Sequence, residues 1–180
     1  MTSPEANADL AEHALAVLQR HGVDAVVIGG FALAAHNYQR STIDLDLGVN
    51  TTRTTLRAVR DELVTQGYDV DLREPDGNDP LGGTIDIESS AGGVVQIINF
   101  DNTPAGGFPK VIRDAIHAMG PPTGRLRVAP LPYIIAMKLY AGGEKSRRDI
   151  QALVQNNPDE DWEAVRALCK SYNLRTHDLF

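Results

Sequence analysis

Apolar positions at helical spacing open the chain: Leu10, Ala14, Val17 and Leu18 form one stripe that ends near Gly22. Ser3 stands where an N-cap is expected, and Pro4 suits a first helical turn. The period then shortens. "DAVVIGG" is a short continuous apolar run that breaks at two glycines, the pattern of a buried strand. "FALAAHNY" returns to a helical pattern, and "TIDLDLGV" alternates as a strand does. Thr51 or Thr52 is placed to cap a helix carrying Leu56, Val59 and Leu63, which Gly67 terminates.

"YDVDLR" predicts a further strand. Beyond the polar loop "EPDGNDPLGG", the segments "TIDIE" and "VVQIINF" flank "SSAGG" as the arms of a hairpin. Closed symmetrically, that hairpin sets Glu88 opposite Val94 and Asp86 opposite Gln96. Ile85, Ile87, Val95 and Ile97 then share one face, and Asp86, Glu88 and Gln96 the other. The loop "DNTPAGGFP" leads to a short helix and a strand "GRLRVAP". "LPYIIAMKLYAGG", "EKSRRDIQALVQN" and "DEDWEAVRALCKSY" read as three helices. The expected fold class is α+β with an α/β-like first part: a mixed sheet covered by helices, followed by a small helical C-terminal part. A boundary falls where "GPP" and "APLP" interrupt the pattern, giving a core over 1–125 and a helical part over 126–180 packed on it.

Composition narrows the classes. The single cysteine, Cys169, excludes an intramolecular disulfide and fits a reducing cytoplasm, and a packing role is expected for it. The first residues do not resemble a signal peptide, and no apolar run has the length of a membrane span. A net charge of −7 argues against broad binding to nucleic acid, so neither DNA nor a membrane is expected as a partner. Basic residues nevertheless gather late, in "GGEKSRRD". His13, His21, His36, His117 and His177 show no metal-ligand spacing.

The chemistry concentrates in "GGFALAAHNYQRSTIDLDLGV". On a regular strand Asp44 and Asp46 point the same way, while Ile43, Leu45 and Leu47 point into the core. Two such carboxylates repel each other unless a cation sits between them, and Mg²⁺ accepts carboxylate oxygens, waters and phosphates together. Gly29 and Gly30 open the following helix without side chains, which leaves their N–H groups accessible to a phosphate. Each half alone is better explained by a tight turn and an exposed strand face.

Together, the Gly-Gly turn and the Asp-x-Asp strand resemble the signature of the polymerase-β-type nucleotidyltransferase superfamily. With Arg40, Thr42, Asp44 and Asp46 spaced two apart, the segment is most similar to AbiEii-like toxin nucleotidyltransferases. Small aminoglycoside nucleotidyltransferases share much of the pattern. The resemblance implies that Asp44 and Asp46 hold Mg²⁺, two ions being usual, and that Gly29 and Gly30 contact the triphosphate of an NTP. Arg40 is then either a phosphate contact or a solvated loop arginine, and Thr42 supports the strand.

Such proteins also carry a third carboxylate on a neighbouring strand. Gln96 stands at that position, and an amide cannot act as a general base. Asp86, beside Gln96 on the hairpin's polar face, is the candidate to supply it. Further along, Lys138 is expected to approach the phosphates. Asp149, in an Arg-Asp pair opening the next helix, is expected to orient a basic partner or the acceptor, or simply to offset the helix dipole. The implied reaction moves an NMP from an NTP to an acceptor hydroxyl. An RNA acceptor such as tRNA and a cognate antitoxin follow from the toxin resemblance. A small antibiotic-type acceptor, or a noncatalytic nucleotide- or partner-binding module, are the rival expectations.

Overall fold

A computed structural model describes residues 4–76, 81–102 and 109–176 of the chain. Ser3, His177 and parts of the loops "EPDGNDPLGG" and "DNTPAGGFP" lie outside the described residues. The elements run in the order α1 (Pro4–Arg20), β1 (Ala25–Ile28), α2 (Gly29–Ala35), β2 (Leu45–Val49), α3 (Arg53–Thr65), β3 (Asp69–Arg73), β4 (Thr84–Glu88), β5 (Val94–Asn99), α4 (Pro109–Ala118), α5 (Leu131–Ala141), α6 (Gly143–Asn156) and α7 (Trp162–Ser171).

The strands form one sheet in the order β1-β2-β5-β4-β3. Its only parallel pair among the described residues is β2 with β5, so the sheet is mixed as expected. The β4–β5 hairpin takes the symmetric register: Glu88 faces Val94 and Asp86 faces Gln96. Gly92, at φ +87°, and the bond from Ser89 N–H to Gly93 O close its turn.

Alternation sorts the sheet into two unlike faces. One carries Leu45, Leu47, Val95, Ile97, Ile85 and Ile87, each no more than 2% exposed. Helix α1 packs on β2 and β5, α3 packs on β3, and the two helices pack on each other. Thr52 caps α3 by accepting the Thr55 N–H, and Gly67 follows its end at φ +89°. The opposite face carries one rung of polar groups, Asp46, Gln96, Asp86 and Asp71, each opposite the next across four strands. Helix α4 covers the β1–β2 end of that face. A Cβ at Gly48 would lie 2.5 Å from Ile112 Cδ1, so the absence of a side chain lets the helix seat. Helix α5 packs on α4, α6 and α7.

Three expectations need correction. Strand β2 begins at Leu45 rather than Thr42, and a bend at residues 43–44 turns the Ile43 side chain outward, 68% exposed, instead of into the core. "GRLRVAP" does not form a strand. It adds a single parallel bridge, Val27 with Val128, and Pro130, which ends the segment and has no N–H to donate, stops the pairing there. Asp149 does not open a helix either. Gly142 and Gly143, at φ +65° and +77°, separate α5 from α6 so tightly that α6 is already well under way at Asp149. The residue is 1% exposed, and its carboxylate faces two partly buried cations, Lys138 and Arg40, rather than the helix dipole. Cys169 is fully buried, and burial pushes its thiol up to about 11, which suits the packing role expected of it. Among the described residues no helix is long and apolar enough to cross a membrane.

Candidate active site

The site begins with a backbone constraint. Gly29 adopts φ +63°, a left-handed conformation that costs an L-residue with a side chain about 1–2 kcal/mol. A Cβ there would also fall 1.7 Å from Asp46 Oδ2. Gly30 has the same relation to the preceding loop: its Cβ would lie 2.7 Å from Thr42 Cβ. Both glycines therefore let α2 close onto the segment that carries the aspartates. This close packing is a second reason for glycine at these positions, beside the approach of a phosphate.

Asp44 lies in the bend just before β2, and Thr42 Oγ1 donates to its Oδ1 at 2.9 Å. Thr42 thus supports Asp44 itself rather than the strand. Asp46 lies on β2 opposite Ile28 and Gln96. Its pKa is pushed up from 3.8 to about 7, first by burial and then by the charge of Asp44. Lys138, Arg40 and Lys145 oppose that shift. Two carboxylates have been brought close in a partly dry site, and the cations around them only partly offset the cost.

Those cations form a second layer. Asp149, almost completely buried, receives Lys138 Nζ at 2.6 Å and has Arg40 Nε at 3.7 Å. Arg40 Nε is buried and has no hydrogen-bond partner. The structure therefore brings Gly29, Gly30, Arg40, Asp44, Asp46, Lys138 and Asp149 into one neighbourhood from four separate segments. An apolar cavity of about 330 Å³ opens beside it, between Ile28, Ile98 and Phe100 of the sheet region and Ile134 and Met137 of α5, with Gly29, Asp46 and Lys138 at its polar end.

Asp86 stands apart. It shares the rung with Asp46, but Gln96 lies between them, and two strand spacings separate their backbones by roughly 10 Å. Its carboxylate accepts from Arg73 at 2.8 Å and from the Gln96 amide. Among the described residues no three His, Cys, Asp or Glu side chains are grouped as a metal site. Lys145, which acts on Asp46, and Thr42, which holds Asp44, were not assigned to the chemistry from sequence. The two-residue spacing of Thr42 from Asp44 was the available signal for the second.

A five-stranded mixed sheet, a glycine-opened helix packed on the Asp-x-Asp segment, and a Lys–Asp pair beyond it make the arrangement expected of a nucleotidyltransferase fold. The chain belongs to the family described as nucleotidyl transferase AbiEii toxin, type IV TA system, which matches residues 13–179. It is accordingly a nucleotidyltransferase. No curated protein sequence matches it. Among solved structures, the solution structure of the antibiotic-resistance factor ANT(2'')-Ia aligns with a TM-score of 0.55 at 18% identity, covering 96% of this chain and 93% of that one. A crystal structure of ANT(2")-Ia in complex with adenylyl-2"-tobramycin gives 0.53 at 20% identity over 92% and 98%. An antigenic nucleotidyltransferase-like protein from Paracoccidioides brasiliensis gives 0.52 at 13% over 95% and 88%. At these identities the likeness establishes the fold.

Proposed function

We propose that the protein transfers a nucleoside monophosphate from an NTP to an acceptor hydroxyl with the help of Mg²⁺, and that the acceptor is an RNA such as tRNA. The observation that carries this reading is the close set of Gly29, Asp44, Asp46 and the Lys138–Asp149 pair. Two carboxylates, with no third His, Cys, Asp or Glu grouped with them among the described residues, suit Mg²⁺, which takes one or two carboxylates and fills its remaining positions with phosphates and water. Asp44 and Asp46 would hold it. Bound there, Mg²⁺ would neutralise charge on the triphosphate and favour departure of pyrophosphate.

The protein's own groups account for the rest. The N–H groups of Gly29 and Gly30, which open α2, would contact phosphate oxygens, although α2 is short and its dipole contributes little. Lys138, held by Asp149, supplies a fixed positive charge, and Arg40 offers a planar donor fork with one N–H still unpartnered. In the reaction the acceptor oxygen bonds to the α-phosphorus, the α–β bridging bond breaks, and pyrophosphate leaves. Gln96 cannot take the hydroxyl proton. Asp86, one strand further along the same rung and partly open to solvent, is proposed as the carboxylate that receives this proton through intervening water, since the Gln96 amide between them cannot relay it.

The toxin family supports an RNA acceptor and a cognate antitoxin as partner. The net charge of −7 favours a second reading, in which the acceptor is a small basic molecule of the antibiotic type. A reducing cytoplasm is proposed as the compartment. Titration calorimetry with each NTP in the presence and absence of Mg²⁺ tests the core of the proposal: NTP binding strengthened by Mg²⁺ is expected, and no binding of any NTP would remove it.

A further inference from the structure

Asn7 is a polar residue in the first part of an amphipathic helix, yet it is 2% exposed. A buried amide has to be satisfied, and this one is satisfied on both ends. Its Nδ2 donates to Ile43 O at 2.7 Å, and its Oδ1 accepts the Val94 N–H at 2.8 Å. Ile43 immediately precedes Asp44, and Val94 opens the strand that carries Gln96. The parallel ladder between β2 and β5 starts only at Leu45 and Val95. Beyond that rung the two chains part at the bend, and the carbonyl of Ile43 and the N–H of Val94 lose the partners a continued ladder would provide. The Asn7 amide stands between them as an inserted rung.

That insertion matters because Asp44 lies outside the ladder. On an uninterrupted strand its side chain would lie one full two-residue repeat, roughly 6–7 Å, from that of Asp46. Leaving the strand lets the carboxylates be placed independently of that repeat, but it also leaves the Asp44 backbone without sheet bonds on this side. The Thr42 hydroxyl anchors the carboxylate, and Asn7 anchors the peptide before it. The first turn of α1 is wedged in place from the other direction as well. A Cβ at Gly93 would lie 2.4 Å from Ala6 O, so the hairpin turn and α1 fit together only with glycine there.

We infer that Asn7 is a positioning residue for the aspartate pair, setting the bend that aims Asp44 at the cation shared with Asp46. The inference rests on the proposed Mg²⁺-dependent reading of that site. Asn7→Leu, close in size, removes both bonds. Asn7→Asp keeps the acceptor for Val94 and loses the donor to Ile43, and it serves as the second variant should the first fold poorly.

The test is a Mg²⁺ titration of each folded protein by calorimetry, together with amide exchange at Val94. Both variants are expected to bind Mg²⁺ roughly tenfold or more weakly than wild type, as when an outer partner of a metal ligand is lost. Val94 is expected to lose exchange protection in Asn7→Leu and to keep it in Asn7→Asp. A merely structural role would lower the melting temperature and leave the Mg²⁺ dissociation constant of the folded protein unchanged. That result would overturn the inference while leaving the proposed function standing. Failure of the wild-type protein itself to bind Mg²⁺ would overturn both.

Discussion

Replacing Asp46 with asparagine should make the metal-free protein more stable at pH 8 and leave it nearly unchanged at pH 4. Asp46 is held near pKa 7 in the folded chain, chiefly by burial and then by Asp44, against 3.8 for the free side chain. Between those values the folded state binds a proton that the unfolded state has released. Stability therefore falls as pH rises from about 4, and the whole cost is present above about 7. A displacement of roughly 3 units at about 1.4 kcal/mol each sets a ceiling near 4 kcal/mol. Partial access to water reduces this, so about 2–3 kcal/mol is expected at pH 8. For a chain of this size that corresponds to an increase in melting temperature of roughly 5–10 °C. Thermal unfolding of wild type and Asp46→Asn with chelator, at pH 4 and pH 8, measures it. Added Mg²⁺ should narrow the gap at pH 8 by stabilising only the wild type. A variant no more stable than wild type at pH 8, or one whose advantage is the same at both pH values, would refute the reasoning.

Gly29→Ala combines a left-handed backbone position with a Cβ 1.7 Å from Asp46 Oδ2. It should cost at least about 2 kcal/mol in urea unfolding and weaken NTP binding, and neutral behaviour in both would show that α2 does not pack as described. Lys138→Met leaves Asp149 buried with only the longer Arg40 contact, a loss expected to reach about 3 kcal/mol. Adding Asp149→Leu should recover much of that loss, and strictly additive losses in denaturant melts would contradict a coupled pair. Gln96→Asp places a carboxylate between Asp46 and Asp86. The variant should be less stable without metal and faster in nucleotide transfer with it. An unchanged rate would show that the third carboxylate does not limit the reaction.

The hairpin was legible to the residue because two alternating arms around "SSAGG" allow one register that puts Ile85, Ile87, Val95 and Ile97 on the same face. The pairing of the glycine turn with the aspartate strand was legible as a motif. Its physical basis was not, since Gly29 meets Asp46 and Gly30 meets Thr42 only after the chain has folded back. The break before β2 was hidden by Ile43, which continues the apolar alternation although its side chain faces solvent. Nothing local marks it, because the residue that satisfies the bend, Asn7, lies far upstream on another element. Asp149 misled for a similar reason. The sequence marked it as a candidate to orient a basic partner but set it at the start of a helix, and only tertiary packing places Lys138 and Arg40 against it.

The central claim is that Asp44 and Asp46 form the working centre of nucleotide transfer. It is tested most directly by incubating the protein with each α-phosphate-labelled NTP, Mg²⁺, and either total RNA or a panel of small basic acceptors. The account predicts covalent label on an acceptor, release of pyrophosphate, and loss of both in the Asp44→Ala plus Asp46→Ala double variant. Label transfer that persists undiminished in the double variant would contradict it.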